Sequence, residues 1–298
     1  MLGNTSYGEV GMVQATLGVF AASGLSVSLT KQVAERRNTD LGRAEKQIGA
    51  GLSIATLFGF TSGILLFVLS DTIAQRALNA PGLAQGVRIG AVLATLTVIG
   101  AAQIGILIGL QEFRAVALLQ VLRSAAVGLG FVVGSLFGTA GALLGLSAGE
   151  ALAVLLSTFM LYRIGRLHSI STGYGPIDWG EARQLCSFAL PVFLSGLVMQ
   201  PAMWFSNLTL ASQPAGYSRL GVFFAAEKWR ELVLFVPASI SQSALALLSN
   251  LHGTQSTKTY ADTFRLNLWV HIVTSMVPAI GLVFFSRLAM ASFGTEFV

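Results

Sequence analysis

LGVFFAAEKWRELVLFVPASISQSALALL (220–248) decides the fold. Glu227, Lys228, Arg230 and Glu231 stand almost side by side in it, with Trp229 between them and apolar runs on both flanks. Only a membrane or a large protein core can bury an apolar run of that length. A charge at the bilayer centre costs about 3 kcal/mol on insertion scales, so four carry a penalty of about 10 kcal/mol. Ion pairing and a wet cavity offset such a penalty, and lipid does not. The cluster predicts a polar pathway through a membrane.

Composition agrees with that setting. Hydrophobic residues make up 54% of the 298-residue chain and charged residues 10%, where a soluble domain carries about 25% charge. The net charge of +5 would suit nucleic acid if it formed an aromatic-laced basic surface, but the cations cluster in particular loops, so no nucleic-acid partner is expected. The one cysteine, Cys186, rules out a disulfide framework or a cysteine-rich metal site. MLGNTSYGEVG has no basic n-region and no cleavage site, and so is not a signal peptide.

Eight stretches are long enough to span about 30 Å of hydrocarbon, which takes roughly 20 helical residues. They lie near 10–30, 47–69, 88–110, 116–137, 141–162, 185–209, 220–249 and 266–290. The fold class is therefore all-α, a polytopic membrane helix bundle. Loops alternate between basic and nearly uncharged. Lys31, Arg36, Arg37, Arg43, Lys46, Arg114, Arg163, Arg166, Arg183, Lys258 and Arg265 fall on one side, against Arg76, Arg88, Arg219 and Arg287 on the other. The positive-inside rule makes the first side cytoplasmic and puts both termini outside. An external start without a signal, and a stop at SFGTEFV just past a span, predict a chain cut at both ends.

Tyr7, Gly11 and Ala15 form Y-x3-G-x3-A at the outer start of the first span, and Tyr217, Gly221 and Ala225 repeat it at the outer start of the seventh. Parallel repeats about an axis along the membrane normal are a transporter design. The polar stretch GRLHSISTGYGPIDWGEARQL (164–184) is the natural joint between halves. This gives a transmembrane lobe over 1–163, a cytoplasmic inter-lobe loop over 164–184, and an incomplete second lobe from 185 to 298. Asp178 is the expected N-cap of the helix that follows the joint.

Three segments carry a family resemblance. LGNTSYGEVGMVQATLGVFAASGLSVSLTKQVAE resembles the opening of bacterial polysaccharide flippases after their first helix; LPVFLSGLVMQPAMWFSNLTLAS with AGYSRLGVFFAAEKWRELVLFVPASISQSALALLS resembles their seventh and eighth helices; FGTEF resembles the segment after the ninth. The family is the polysaccharide or O-antigen exporter branch of the multidrug/oligosaccharidyl-lipid/polysaccharide superfamily. The resemblance implies helices two to nine of twelve or more, in a two-lobed transporter of the bacterial inner membrane. It implies a substrate of undecaprenyl-pyrophosphate-linked oligosaccharide, moved outward by alternating access. Polysaccharide polymerase and chain-length proteins are the partners such a step suggests, beside membrane lipid; no cofactor or metal is implied.

Such a substrate needs cations for phosphate, polar and aromatic groups for sugar, and a lateral opening for its tail. Arg123 lies about 10 Å from the inner end of its helix, and Lys228 and Arg230 about 14–16 Å from the outer end of theirs. All three are candidates to line a cationic cavity. Lys228 and Arg230 point about 200° apart, and the i,i+3 pairs Glu227–Arg230 and Lys228–Glu231 would leave one cation to the cavity. Snorkelling to headgroups competes with that role for Arg123. Glu150 is read either as a proton-coupling carboxylate or as the partner of Arg123. Gln200, Trp204 and Asn207 share one helical face and can touch glycan or glue helices together; Trp229 is a sugar platform or packing.

Weaker signals add less. Pro191, Pro201, Pro237 and Pro278 fall in spans and permit bends. Gly105/Gly109, Gly134/Gly138 and Gly141/Gly145 give small-xxx-small spacing, which means close helix packing. GLGFVVG (128–134) lacks the dinucleotide-binding spacing, and no P-loop, zinc set or Ser/His/Asp arrangement occurs, so an enzyme is not expected. Two rival readings stand: an ion-coupled multidrug exporter of the same superfamily, and a non-transporting membrane scaffold of a polysaccharide-assembly complex.

Overall fold

Helix follows helix along the computed structural model, which describes residues 2–21, 24–36, 40–253 and 257–297, without the side chains of 235–236, 238–253 and 257–263. The order is α1 (Asn4–Ala21), α2 (Leu25–Arg36), α3 (Leu41–Thr72), α4 (Ala84–Gly109), α5 (Phe113–Ser135), α6 (Gly138–His168), α7 (Trp179–Ala211), α8 (Gly216–Gly253), α9 (Thr257–Phe284) and the short α10 (Ser286–Ala291). No strand occurs among the described residues. Residues Met1–Leu220 form one compact unit and Gly221–Val298 a second.

Six helical segments are long and apolar enough to cross a bilayer, and the α1–α2 pair makes a seventh if counted as one broken span. All seven coincide with expected spans. The remaining expectation, 220–249, falls on α8, where the side chains of 235–236 and 238–249 lie outside the described residues.

The first expected span is not one straight helix. Its two halves meet at 48°. Gly24 sits at the break with φ +63°, and a Cβ there would stand 2.6 Å from the Ala189 carbonyl oxygen on α7. Only glycine meets both demands, the left-handed backbone and the close approach.

Helix ends depart from the apolar runs for a local reason. α3 starts at Leu41, ahead of the expected 47, because the Asp40 carboxylate caps it by accepting the Arg43 N–H at 3.0 Å. At the far end α3 passes into a π-turn at Ile73–Ala77. Asp178 caps α7 as expected, accepting the Gly180 N–H at 2.9 Å. The expected loop 164–184 is shorter than its polarity implies: α6 runs to His168 and α7 starts at Trp179. What remains lies along α3, with Ser53 donating to the Gly175 carbonyl at 2.9 Å and the Ser171 N–H donating to Glu45 at 2.8 Å.

Within the first unit, α4 is the central helix, packed on α1, α2, α3 and α6. Its glycines permit this. Gly105 and Gly109 face α2, where an added Cβ would stand 2.5 Å from the Ser26 oxygen and 2.8 Å from the Val33 Cβ. The core gathers Leu25, Leu29 and Val33 of α2, Ile48 and Leu52 of α3, Ile106 and Leu107 of α4, and Leu185 of α7, all at most 5% exposed. α5, in contrast, exposes Val121, Leu129 and Val133, as suits a helix facing lipid rather than water. α7 lies against α1, α2 and α3.

Candidate functional site

The charged cluster occupies two turns of α8 in the second unit. Arg230 Nε donates to both carboxylate oxygens of Glu227 at 3.0 Å, and Lys228 Nζ donates to Glu231 Oε2 at 2.9 Å. Both i,i+3 pairs named by the sequence are therefore made. The four charges sum to zero, yet the Lys228 and Arg230 side chains each keep 53% of their surface exposed. The Lys228–Glu231 pair, open on both sides, is worth only about 0–1 kcal/mol, whereas Arg230 holds bidentately a Glu227 side chain that is 25% exposed. A phosphate competes more readily for Lys228 than for Arg230.

Trp229 faces elsewhere. Its indole N–H donates to the Ala289 carbonyl at 3.1 Å, and its ring borders an apolar cavity with Leu232, Pro278, Leu282 and Phe285. The ring binds α8 to the segment after α9 and has no hydrogen-bond donor left for a sugar.

Arg123 and Glu150 meet in the first unit. Arg123 on α5 grips Glu150 on α6 through Nε at 3.0 Å and through its terminal nitrogen at 2.8 Å. The Glu150 side chain is 4% exposed and that of Arg123 32%. Gly100 on α4 makes room for the carboxylate, since a Cβ there would lie 3.4 Å from Glu150 Oε1. The Arg123 guanidinium is thus committed to a buried partner, unlike the cations of α8.

Gln200 and Trp204 turn toward α1. The Trp204 indole donates to the Thr16 hydroxyl at 2.9 Å, and Thr16 passes a bond to the Met12 carbonyl. Gln200 Oε1 stands 3.2 Å from where a Cβ of Gly18 would be. Asn207, one turn further, is half-buried. Of the two uses foreseen for this face, Trp204 displays the interhelical bond.

Two polar groups escape a linear reading. Glu9 of α1 is half-buried and accepts the Thr139 hydroxyl at 2.8 Å. Near the basic side, Gln47 Nε2 donates to Gln32 Oε1 and to Glu181 Oε2, each at 2.8 Å; Gln32 in turn donates to the Gln184 carbonyl at 2.9 Å, and Arg36 bonds the Gln184 side chain. This buried network stitches α2 and α3 to α7. Gln32 and Gln47 carry no charge and flank a loop, so the one available signal was a glutamine at the edge of each apolar run.

No group of three or more His, Cys, Asp or Glu side chains suited to a metal occurs among the described residues.

Comparison with known proteins fits this picture. A family model described as "polysaccharide biosynthesis protein" matches residues 1–249. A multidrug-resistance transporter of the MATE family and MOP superfamily, in its inward-facing conformation, matches with a TM-score of 0.82 at 19% identity, over 99% of this chain and 68% of that one. An outward-facing MATE transporter matches with a TM-score of 0.71 at 19% identity, over 96% and 66%. A MOP-superfamily transporter from Pyrococcus furiosus, described as having a binding pocket of reverse polarity, matches with a TM-score of 0.70 at 19% identity, over 97% and 66%. The chain spans about two thirds of the length of these structures. A comparison with curated proteins finds none that matches. With a family model covering most of its length and the fold of MOP-superfamily transporters, this multi-pass membrane chain belongs to the polysaccharide biosynthesis protein family.

Proposed function

We propose that the chain works in the outward flipping of a lipid-linked oligosaccharide, an anionic pyrophosphate carrier bearing a surface-polysaccharide unit, across a bacterial inner membrane. The observation that supports this best is the pair of half-exposed cations on α8. Lys228 and Arg230 sit in an apolar helix, each matched to a carboxylate only three residues away and each half exposed. A phosphate offers more negative charge than one carboxylate and fits a guanidinium bidentately. On its arrival the cation changes partner and the vacated carboxylate faces the aqueous pathway. Release reverses the exchange, so the substrate is held without being trapped.

In this reading residues 1–163 supply the first lobe, 164–184 connect, and 185–298 begin the second. Glu150 and Arg123 brace the first lobe, while Gln200 and Asn207 offer polar contacts to the glycan. The chain acts as a transporter, with no chemistry of its own. Polymerase and chain-length proteins are the partners that would consume its product. The multidrug exporter remains the second reading, favoured by the likeness to MATE transporters; such a protein would use Glu227 and Glu231 to attract a cationic drug.

Complementation of a flippase-deficient strain with the gene and its variants tests the choice. Lys228→Ala and Arg230→Ala should each lower surface polysaccharide about tenfold, the equivalent of one charge-assisted hydrogen bond of roughly 1.4 kcal/mol, at unchanged membrane abundance. Glu231→Gln should have a smaller effect. Unchanged polysaccharide in both cation variants, with loss of drug tolerance in Glu227→Gln, would favour the exporter.

A further inference from the structure

At the weakly basic end of the first unit, the end of α3 and the end of α7 enclose a cavity of about 310 Å³. Arg76, Asn79, Thr209 and Ser212 line one part of it, and Phe205 and Leu208 another. We infer that this cavity is a phosphate-binding site at the outer membrane surface, serving a phosphate group carried by a lipid headgroup or free in solution.

The depth is right for a headgroup. Leu69 ends the apolar run of α3, and Arg76 follows seven residues later, about 10 Å further along the helix axis. That places its guanidinium beyond the hydrocarbon, where the lipid phosphates lie. The cation count assigns this end to the outer face.

The charge is right as well. Among the described residues neither Arg76 nor Arg219 has a carboxylate within ion-pair distance, whereas nearby Arg88 is neutralised by Asp71 at 2.6 Å. Arg219 is brought to the same end by Tyr217, two residues before it, whose hydroxyl donates to the Leu78 carbonyl at 2.8 Å. One guanidinium N–H of Arg219 is spent on Gln213 at 3.2 Å, which leaves its charge uncompensated.

Two helix C-termini meet here, and their partial negative charge would repel an anion if left bare. It is not bare. The Leu78 N–H caps Ile73, the Ala80 N–H caps Ala74, the Ser212 N–H caps Leu208, and the Ser212 hydroxyl donates to the Thr209 carbonyl. Donors are available at the cavity. Arg76 brings five N–H groups in a planar fork and Asn79 an amide with two. The hydroxyls of Thr209 and Ser212, now turned to carbonyls of their own helix, reach a ligand by one χ1 rotation. The backbone is shaped to fit. The π-turn at Ile73–Ala77 places Arg76 out of α-helical register, and Asn79 ends the helix at φ +48°, the left-handed conformation that asparagine tolerates at a helix C-terminus.

The site differs from the α8 cluster in the state of its cations, and it would hold a phosphate whichever glycan is carried. Its test uses the purified chain in nanodiscs of phosphatidylcholine with one part in five phosphatidylglycerol. Retained phosphatidylglycerol is counted by native mass spectrometry, with inorganic pyrophosphate titrated as a soluble competitor. Wild type should retain phosphatidylglycerol, Arg76→Gln should weaken retention about tenfold, and Arg76→Lys should recover part of it, because a point charge replaces the fork. Displacement by pyrophosphate would show that the site reads phosphate on any carrier; retention against pyrophosphate would assign it to lipid headgroups; pyrophosphate binding without lipid retention would assign it to free phosphate. Each of these supports the site if Arg76→Gln weakens it about tenfold. Equal binding of both probes by wild type and by the Arg76→Gln/Arg219→Gln double variant overturns it. Arg76 is exposed, so both variants should keep the helical circular dichroism of the parent.

Discussion

Replacing Arg123 by leucine should destabilise the chain by about 3–5 kcal/mol, and replacing Glu150 as well should recover most of that loss. The asymmetry of burial sets the size of the effect. With Arg123 removed, a carboxylate that is 4% exposed loses the hydrogen bond to its Oε2 and the ion-pair contact to its Oε1. An uncompensated buried charge costs several kcal/mol, whereas a matched apolar pair of similar volume is neutral or stabilising. Glu150→Gln should cost less than Arg123→Leu, because the arginine left behind is one third exposed and can turn its head to water. An ordinary interhelical hydrogen bond in a membrane protein contributes only about 0.6 kcal/mol. Unfolding midpoints of the purified variants, followed by tryptophan fluorescence in mixed micelles, separate the two regimes. If Arg123→Leu and the double variant unfold at the same denaturant concentration, the pair does not act as a buried charge pair.

That expectation changes how the charges of the chain divide between structure and transport. Three cations in apolar spans look alike in sequence. The structure separates them by partner: Arg123 has one that is buried and reached across helices, while Lys228 and Arg230 have carboxylates on their own helix, 58% and 25% exposed. Stability resides in the first kind. The proposed phosphate contacts belong to the second, since a cation paired on its own helix changes partner without parting two helices.

Much of this was legible in the sequence, for identifiable reasons. The i,i+3 pairs of α8 follow from helical spacing alone, and the Asp178 cap from local chemistry. Spans follow from apolar length, although the ends of α3 do not, because the polar residues 41–46 continue the helix beyond the bilayer. What stayed hidden depends on contacts between distant segments. Gln47 meets Glu181 across 134 positions, and Trp204 meets Thr16 across 188; no local pattern announces either. The break at Gly24 is of the same kind, since its need for glycine arises from α7. Gly134/Gly138 shows the opposite error. The spacing suggests a packing pair, but Gly138 has φ +83° and nothing within 4 Å of an added Cβ. It is a turn glycine at the start of α6, and the face it was assigned to is completed by Gly130.

A single methyl group on Gly145 should disrupt the α5–α6 pair. Gly130 and Gly134 of α5 face Gly141 and Gly145 of α6 so closely that a Cβ on Gly145 would overlap the Gly130 carbonyl oxygen, and one on Gly134 the Gly141 carbonyl. One turn along, a Cβ on Gly149 would stand 2.6 Å from the Ala126 oxygen. These neighbours are backbone and cannot turn aside as a side chain would. The helices must separate along the whole crossing, which also loosens Arg123 from Glu150 because that pair bridges the same two helices. Overpacking against a yielding core costs about 1–3 kcal/mol; against backbone, Gly145→Ala should cost about 3 kcal/mol or more and lower the yield of folded protein. Gly128→Ala is the control. It lies on α5 with nothing within 4 Å, and alanine is the better helix former by about 1 kcal/mol, so it should leave stability unchanged or raise it. Thermal unfolding of the two alanine variants in one detergent distinguishes packing from composition. Equal midpoints would mean that the glycines of α6 are there for some reason other than the contact they make.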